Sequence, residues 1–384
     1  MKKIVKIFLI VLMLFSLCGC SITDFELKNR LIIQALGIDL TNNGVMVTVE
    51  ALNTEISSNP NSGGSAPDIV KIIKVEADSV STAMRKLTEI EGRVPLLSQN
   101  RVIVFGESLC KKGVNEYIDF FLRNPQNRAT VEVAVADDKA EDIVSAKMGE
   151  SVIPAREIQK ILEASELNST TVTKTLYQFV NDLKSKTTSA YLPILKAEDL
   201  DDKKQIKVSG TALFDEDKYS RELTIDETLP IVILTNKADN GSFFVSVPEI
   251  ESDVSLSIIK SKSKTNFEII DNKVNCGVNI KMSLNCLESS SKKFSEFTPK
   301  IIEQIEKRTK EKIENELKLS IKKCFNEYRA DPFNLGTIMW QKKPKIFKER
   351  CENWKDELKN VEVNLSVDVI IKTLGNEALN LVDN

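Results

Sequence analysis

Histidine is absent from this chain of 384 residues. That omission removes the commonest general base, the Ser–His and Cys–His nucleophile pairs, and the His-containing zinc sites. Glycine is scarce too: 14 residues, about half the usual share of roughly 7%, which argues against phosphate-cradling loops. Neither sign of charge dominates. With 53 Lys+Arg against 56 Asp+Glu and a net charge of −3, no basic domain points to nucleic acid. A composition 42% hydrophobic and 28% charged excludes disorder, collagen-like repeats and a multi-span transporter. The composition leans away from an enzyme, and the length allows two or three compact domains.

What is present begins with residues 1–20, MKKIVKIFLIVLMLFSLCGC. Lys2, Lys3 and Lys6 form a basic start, and the apolar stretch Ile7–Leu17 is short for a membrane span. It ends in Leu17-Cys18-Gly19-Cys20, which resembles a bacterial lipobox. The reading is cleavage between Gly19 and Cys20 and diacylglyceryl attachment to the Cys20 thiol. Cys18 is a poorer acceptor, because bulky Leu17 would then precede the cut. An ordinary secretory signal or an uncleaved anchor is the plainer alternative. Loss of residues 1–19 takes three lysines with it and moves the net charge from −3 to −6. By that count the surface gains nothing from anionic headgroups, and attachment rests on the acyl chains and on protein partners.

Of seven cysteines, Cys110, Cys276, Cys286, Cys324 and Cys351 remain after Cys18 and Cys20, an odd set without C-x-x-C spacing. No metal cluster emerges. Cys276 and Cys286, ten residues apart in strand-like sequence, either pair across a hairpin or stay as buried thiols.

Periodicity then sets out the elements. Ile32–Asp39 and Val45–Ala51 flank Asn42-Asn43-Gly44, a hairpin signal. Residues 57–67 form a polar loop, and Ile69–Ala77 reads as a strand. A helix capped by Asp78 or Ser79 carries Val80, Ala83, Met84, Leu87 and Ile90 on one face and stops at Gly92. Val102–Phe105 is a short buried strand, Glu116–Arg123 a helix, Val131–Ala136 a strand, and helical sequence dominates to about Lys186. A boundary is expected near residues 191–204, followed by a hairpin around Asp215–Lys218. Alternation at Val274, Val278, Ile280, Met282 and Leu284 precedes the longest helix signal, about Phe294 to Tyr328. Its stripe of Ile302, Ile305, Thr309, Ile313, Leu317, Ile321, Cys324 and Tyr328 is read as core packed on a sheet. Val361, Val363, Leu365, Val367 and Val369 alternate with polar residues in a final strand. The expected class is α+β or mixed α/β, several sheet-plus-helix domains, the last an antiparallel-rich sheet on a long helix. The expected division is 1–19 leader, 20–200, 201–250 and 251–384.

Chemistry is sparse. Ser257-Ile-Ile-Lys260 fits S-x-x-K, but lies in strand-like alternation without its K-T-G and S-D-N companions. Asp137, Asp138, Glu141 and Asp142 can gather a cation, but a helix start favours acidic residues anyway, so capping is the reading. Trp340 and Trp354 offer a platform and are read as core. No catalytic or metal-binding residue is assigned, and ligand contacts are left open.

Ordered motifs supply what chemistry does not. Glu26-Leu-Lys-Asn-Arg30, Ala35-Leu-Gly-Ile-Asp39, Ser81-Thr-Ala-Met-Arg85, Arg101-Val-Ile-Val-Phe-Gly-Glu107 and Phe120-Phe-Leu-Arg-Asn124 open the series. Gly210-Thr-Ala-Leu-Phe214 continues it, and Asp331-Pro-Phe-Asn-Leu-Gly336, Pro344, Trp354 and the alternating strand to Gly375 close it. This set behind a lipobox resembles the C-subunit lipoproteins of bacterial spore germinant receptors, the Ger(x)C family. Ser21 stands where members often have Trp, and no His precedes the strand after Gln99-Asn100. The resemblance implies three mixed α/β domains without an active site, held on the outer leaflet of the spore inner membrane by lipid on Cys20. It implies two integral-membrane partner subunits, one transporter-like, and a role in receptor assembly or signalling during germination. Two other readings remain: a stand-alone envelope lipoprotein that binds a small solute, and a cell-wall enzyme working through Ser257 and Lys260.

Overall fold

In a computed structural model, residues 29–53, 69–146, 153–200, 203–271, 273–289, 297–351, 353–374 and 377–378 are described. The strands are β1 (Arg30–Thr41), β2 (Gly44–Leu52), β3 (Val70–Ala77), β4 (Val94–Leu96), β5 (Val102–Phe105), β6 (Glu132–Ala136), β7 (Lys174–Thr175), β8 (Tyr191–Leu200), β9 (Lys203–Asp215), β10 (Lys218–Thr224), β11 (Ser242–Val247), β12 (Ser252–Ile270), β13 (Lys273–Ser289), β14 (Glu362–Leu374) and β15 (Glu377–Ala378). The helices are α1 (Val80–Glu91), α2 (Glu107–Lys112), α3 (Asn115–Arg123), α4 (Ala140–Val144), α5 (Pro154–Leu167), α6 (Leu176–Lys184), α7 (Ile225–Leu234), α8 (Pro299–Lys322), α9 (Leu335–Lys342), α10 (Pro344–Arg350) and α11 (Trp354–Glu357).

The first sheet runs β10-β9-β8-β6-β5-β1-β2-β3, with β4 beside β1 and β7 beside β6. Its centre, β1, β5, β6 and β8, is parallel, and its wings are antiparallel. Parallel strands are covered on both faces, which is why Val102–Phe105 is apolar at every position and wholly buried. On one face Leu36, Val47, Ile103 and Val133 pack with Leu87 of α1, Leu109 of α2, Phe121 of α3 and Phe179 of α6. On the other, Ala35, Val104 and Ala134 meet Ile143 of α4 and Ile158 and Leu162 of α5. The alanines there let the helices sit close to the sheet.

The second sheet runs β11-β12-β13-β14-β15 and is antiparallel except for the β13–β14 pair. Val278, Ile280, Met282 and Leu284 point inward and pack with Ile305, Ile313, Leu317 and Ile321 of α8, the stripe expected from spacing. Thr309 is polar within that stripe yet fully buried, because its hydroxyl donates to the Ile305 carbonyl one turn back at 2.7 Å. α8 also guards the outer edge of β14. Glu306 accepts from Ile371 N at 2.8 Å and Glu314 from Val367 N at 3.3 Å. Eight helical residues rise about 12 Å and four strand residues about 13 Å, so two successive contacts match.

The expected boundary near residues 191–204 falls inside the β8–β9 hairpin of the first sheet, whose strands continue to Thr224. The 201–250 stretch is divided: β9 and β10 belong to the first sheet, β11 to the second. Tyr191, Leu213 and Leu223 of the first sheet share a core with α7, α8 and the second sheet. The five described cysteines are free and buried. Cys276 and Cys286 lie on the same strand, both facing inward, so a bridge across a hairpin does not form. The 57–67 loop, Ser21, Gly19 and Cys20 lie outside the described residues.

Candidate functional site at the sheet junction

The junction of the two sheets is built around Asp331. Its side chain is buried in the turn Asp331-Pro-Phe-Asn-Leu-Gly336 that opens α9. One carboxylate oxygen accepts from Phe333 N at 3.1 Å and Leu335 N at 3.2 Å; the other accepts from Gly336 N at 2.7 Å and Trp354 Nε1 at 2.9 Å. A carboxylate here satisfies N–H groups at a helix start and meets the positive end of its dipole. Burial pushes Asp331 up to about 6, against the pull of those four donors. A Cβ on Gly336 would stand 2.4 Å from Trp354 Nε1 and 2.6 Å from the Thr187 carbonyl, so this approach requires glycine.

The same turn grips the first sheet. Ser189 N donates to the Asp331 carbonyl at 3.0 Å, and Ser189 Oγ accepts from Asp331 N at 2.9 Å. Thr188 Oγ1 donates to Asn334 Oδ1 at 2.6 Å, and Thr187 and Thr337 hydroxyls meet at 2.8 Å. Beside them lies a cavity of about 570 Å³, lined in part by Asp182, Lys186, Asp215, Arg329 and Lys355. Four of those five charged groups are engaged. Lys355 pairs with Asp215, Arg329 with Asp356, and Asp182 with Lys174 at 2.8 Å. A ligand entering here must compete with those pairs. A second groove of about 720 Å³ runs between α1 and α3, lined by Met84, Leu97, Phe120 and Pro125 with Arg85 and Arg123 at its margin.

The cluster at residues 137–142 is not gathered around a cation. Asp137 pairs with Lys196 at 3.2 Å, Asp142 with Lys204 at 3.1 Å, and Glu141 with Lys74. Nor do Asp137 and Asp138 cap α4, as expected. That role falls to Asp39 at the end of β1, which accepts from Ala140 N at 2.8 Å and Glu141 N at 2.9 Å. A Cβ on Gly106 would lie 2.1 Å from Asp39 Oδ1, so the glycine clears the path of that carboxylate. Glu50 does the same for α5, accepting from Ala155 N at 2.9 Å. Burial raises Glu50 to about 7, opposed by that hydrogen bond and by the Arg101 charge. These distant caps carry no local spacing, so sequence reading missed both.

Ser257 and Lys260 sit in β12, separated by an irregularity in its pairing with β13, not at a helix start. Among the described residues no group of three or more Cys, Asp or Glu side chains is arranged to hold a metal ion. Of the two tryptophans, Trp354 is core; Trp340 is not, being 56% exposed, contrary to expectation.

Comparison with known proteins fits this geometry. Residues 24–197 match the family described as spore germination protein N-terminal domain. Residues 209–375 match the family described as spore germination B3/GerAC like, C-terminal. The chain belongs to the Ger(x)C spore germination family. Spore germination protein GerQC of Bacillus cereus is 22% identical over 280 residues, 73% of this chain and 76% of its own length. A putative spore germination protein, YfkR of Bacillus subtilis (strain 168), is 24% identical over 217 residues, 56% of each chain. The crystal structure of the GerBC protein shares the fold, with a TM-score of 0.59 at 18% identity over 88% of this chain and 96% of that one. The Ger(x)C motifs quoted above now have positions: Asp39, Gly106, Asp331, Gly336 and Trp354 are helix caps, close approaches and the junction itself.

Proposed function

We propose that this family member is a non-enzymatic, lipid-anchored subunit of a spore nutrient receptor, acting in receptor assembly or signalling. The observation that carries the reading is how the motif residues are used. Asp331 and Trp354 border the junction cavity, but their polar groups bond each other and the turn, and Asp39 bonds α4, so these groups are used to hold the fold together. Diacylglyceryl lipid on Cys20 supplies the attachment, and no other cofactor enters the proposal. Among the described residues no helix is long and apolar enough to cross a membrane. The proposed place is the outer leaflet of the spore inner membrane, beside two integral-membrane subunits, one transporter-like. Confinement to the membrane plane raises the effective concentration at those partners without any new contact.

Cys20→Ala tests this directly. Complex recovery and nutrient-triggered germination should fall while the domain still folds. Normal partner recovery and germination would defeat the anchor argument. The junction cavity supports a second reading, a stand-alone lipoprotein binding a small polar solute. Saturable binding by the isolated chain, with Lys355→Ala weakening it, would favour that reading.

A further inference from the structure

The net charge conceals a local surface of the opposite sign. Residues 340–348, from the end of α9 into α10, contain Trp340, Lys342, Lys343, Lys345 and Lys348 and no acidic residue. Trp340 and all four lysines are exposed, whereas Phe347 turns inward to the core. Lys342 Nζ donates to the Thr265 carbonyl at 2.7 Å, which places this promontory against the edge of β12. Next to Thr265, the outward face of β12 carries exposed Lys264 and Lys262. Lys262 stands directly across from exposed Lys281 on β13, a like-charge pair that disfavours the sheet. Asp368 on β14 is the acidic residue in that row, beside Lys281. α8 and its neighbours cover the opposite face of the sheet.

We infer that the promontory Trp340–Lys348, flanked by Lys262, Lys264 and Lys281, docks on the anionic headgroups of a lipid bilayer. The inference rests on the reading of the chain as membrane-anchored. Complementary charge argues for an anionic occupant. An exposed tryptophan among lysines argues for a bilayer, because an indole settles at headgroup depth while lysine stems lie along apolar surface and lift their ammonium groups to the phosphates. On that reading the lipid on Cys20 brings the chain to such a surface, and the lysines then orient it. Headgroup attraction is thus regained locally by a chain whose total charge forbids it.

Two tryptophans make the test specific, since Trp354 is buried against Asp331 and Trp340 is not. The full lipidated chain is reconstituted into vesicles of brominated phosphatidylcholine, with or without phosphatidylglycerol. Emission is compared with that of Trp340→Phe. Trp340 should be quenched and blue-shifted on phosphatidylglycerol vesicles alone. High salt, or K343E/K345E/K348E, should lower the docked-to-undocked ratio that this quenching reports by about tenfold or more, while unchanged Trp354 emission reports an intact fold. A chain that floats with the vesicles but leaves Trp340 unquenched overturns the inference and spares the anchor. Equal quenching on neutral vesicles overturns the charge argument. Protection of Trp340 only in membranes containing other proteins assigns the surface to a protein partner instead. Failure to float on either vesicle overturns both readings.

Discussion

Asp331 shows how a single carboxylate serves a large molecule. Four donors converge on it, and its backbone pairs with Ser189 in the loop that leads into β8 of the first sheet. Asp331→Ala should therefore cost about 3 kcal/mol or more, because buried donors are left unpaired. Urea unfolding would measure it, and a change under about 1 kcal/mol would contradict the junction's role. Glu50 and Glu132 make a different claim. Burial raises each to about 7, assisted at Glu132 by Glu163 and Glu166. A carboxyl raised on folding stabilises the native state fully below its unfolded value, and the benefit is lost as pH rises through the folded value. Stability should decline between about pH 4.5 and pH 7. Glu50→Gln keeps an acceptor for Ala155 N, so it should flatten the decline and gain on the order of 2 kcal/mol at pH 8. An unchanged pH slope in Glu50→Gln would refute the assignment. Such caps escape sequence reading because Asp39 and Glu50 find their partners 101 to 105 residues later, whereas Ser79 capping α1 is legible from its neighbours.

Among the elements, α8 was legible because a buried stripe at spacing three and four writes itself into sequence. The same holds for β14, whose valines alternate with polar residues. What spacing cannot convey is pairing direction. β13 and β14 run parallel, joined through α8 to α11, because the long connection carries the chain back to the same end. Nor does it reveal that α8 supplies acceptors to the β14 edge. Removing both with Glu306→Ala and Glu314→Ala should cost about 1–2 kcal/mol and expose unpaired N–H groups to strands of other chains. Size-exclusion chromatography should then show concentration-dependent association; monomeric behaviour with unchanged stability would count against the guard. Leu317→Ala, in the buried stripe, should cost about 2–5 kcal/mol in the same unfolding assay.

For the molecule as a whole, the shared core of Tyr191, Leu213 and Leu223 with α7 and the second sheet makes the halves interdependent. A chain ending at residue 200 would strip β9 from β8 and expose a long strand edge. It should therefore be insoluble or poorly protected in amide exchange, and a well-protected monomer would contradict that interdependence. The family was legible in ordered motifs and the mixed α and β class in periodicity; the joint between the sheets was not, since Thr187, Thr188 and Ser189 belong to no periodic pattern. The central claim concerns partners. Affinity recovery of the full-length lipidated chain from detergent-solubilised spore membranes, followed by mass spectrometry, tests it most directly. A transporter-like subunit and a second integral-membrane subunit are expected in the eluate. Recovery of the chain alone, in good yield and mild detergent, would contradict it.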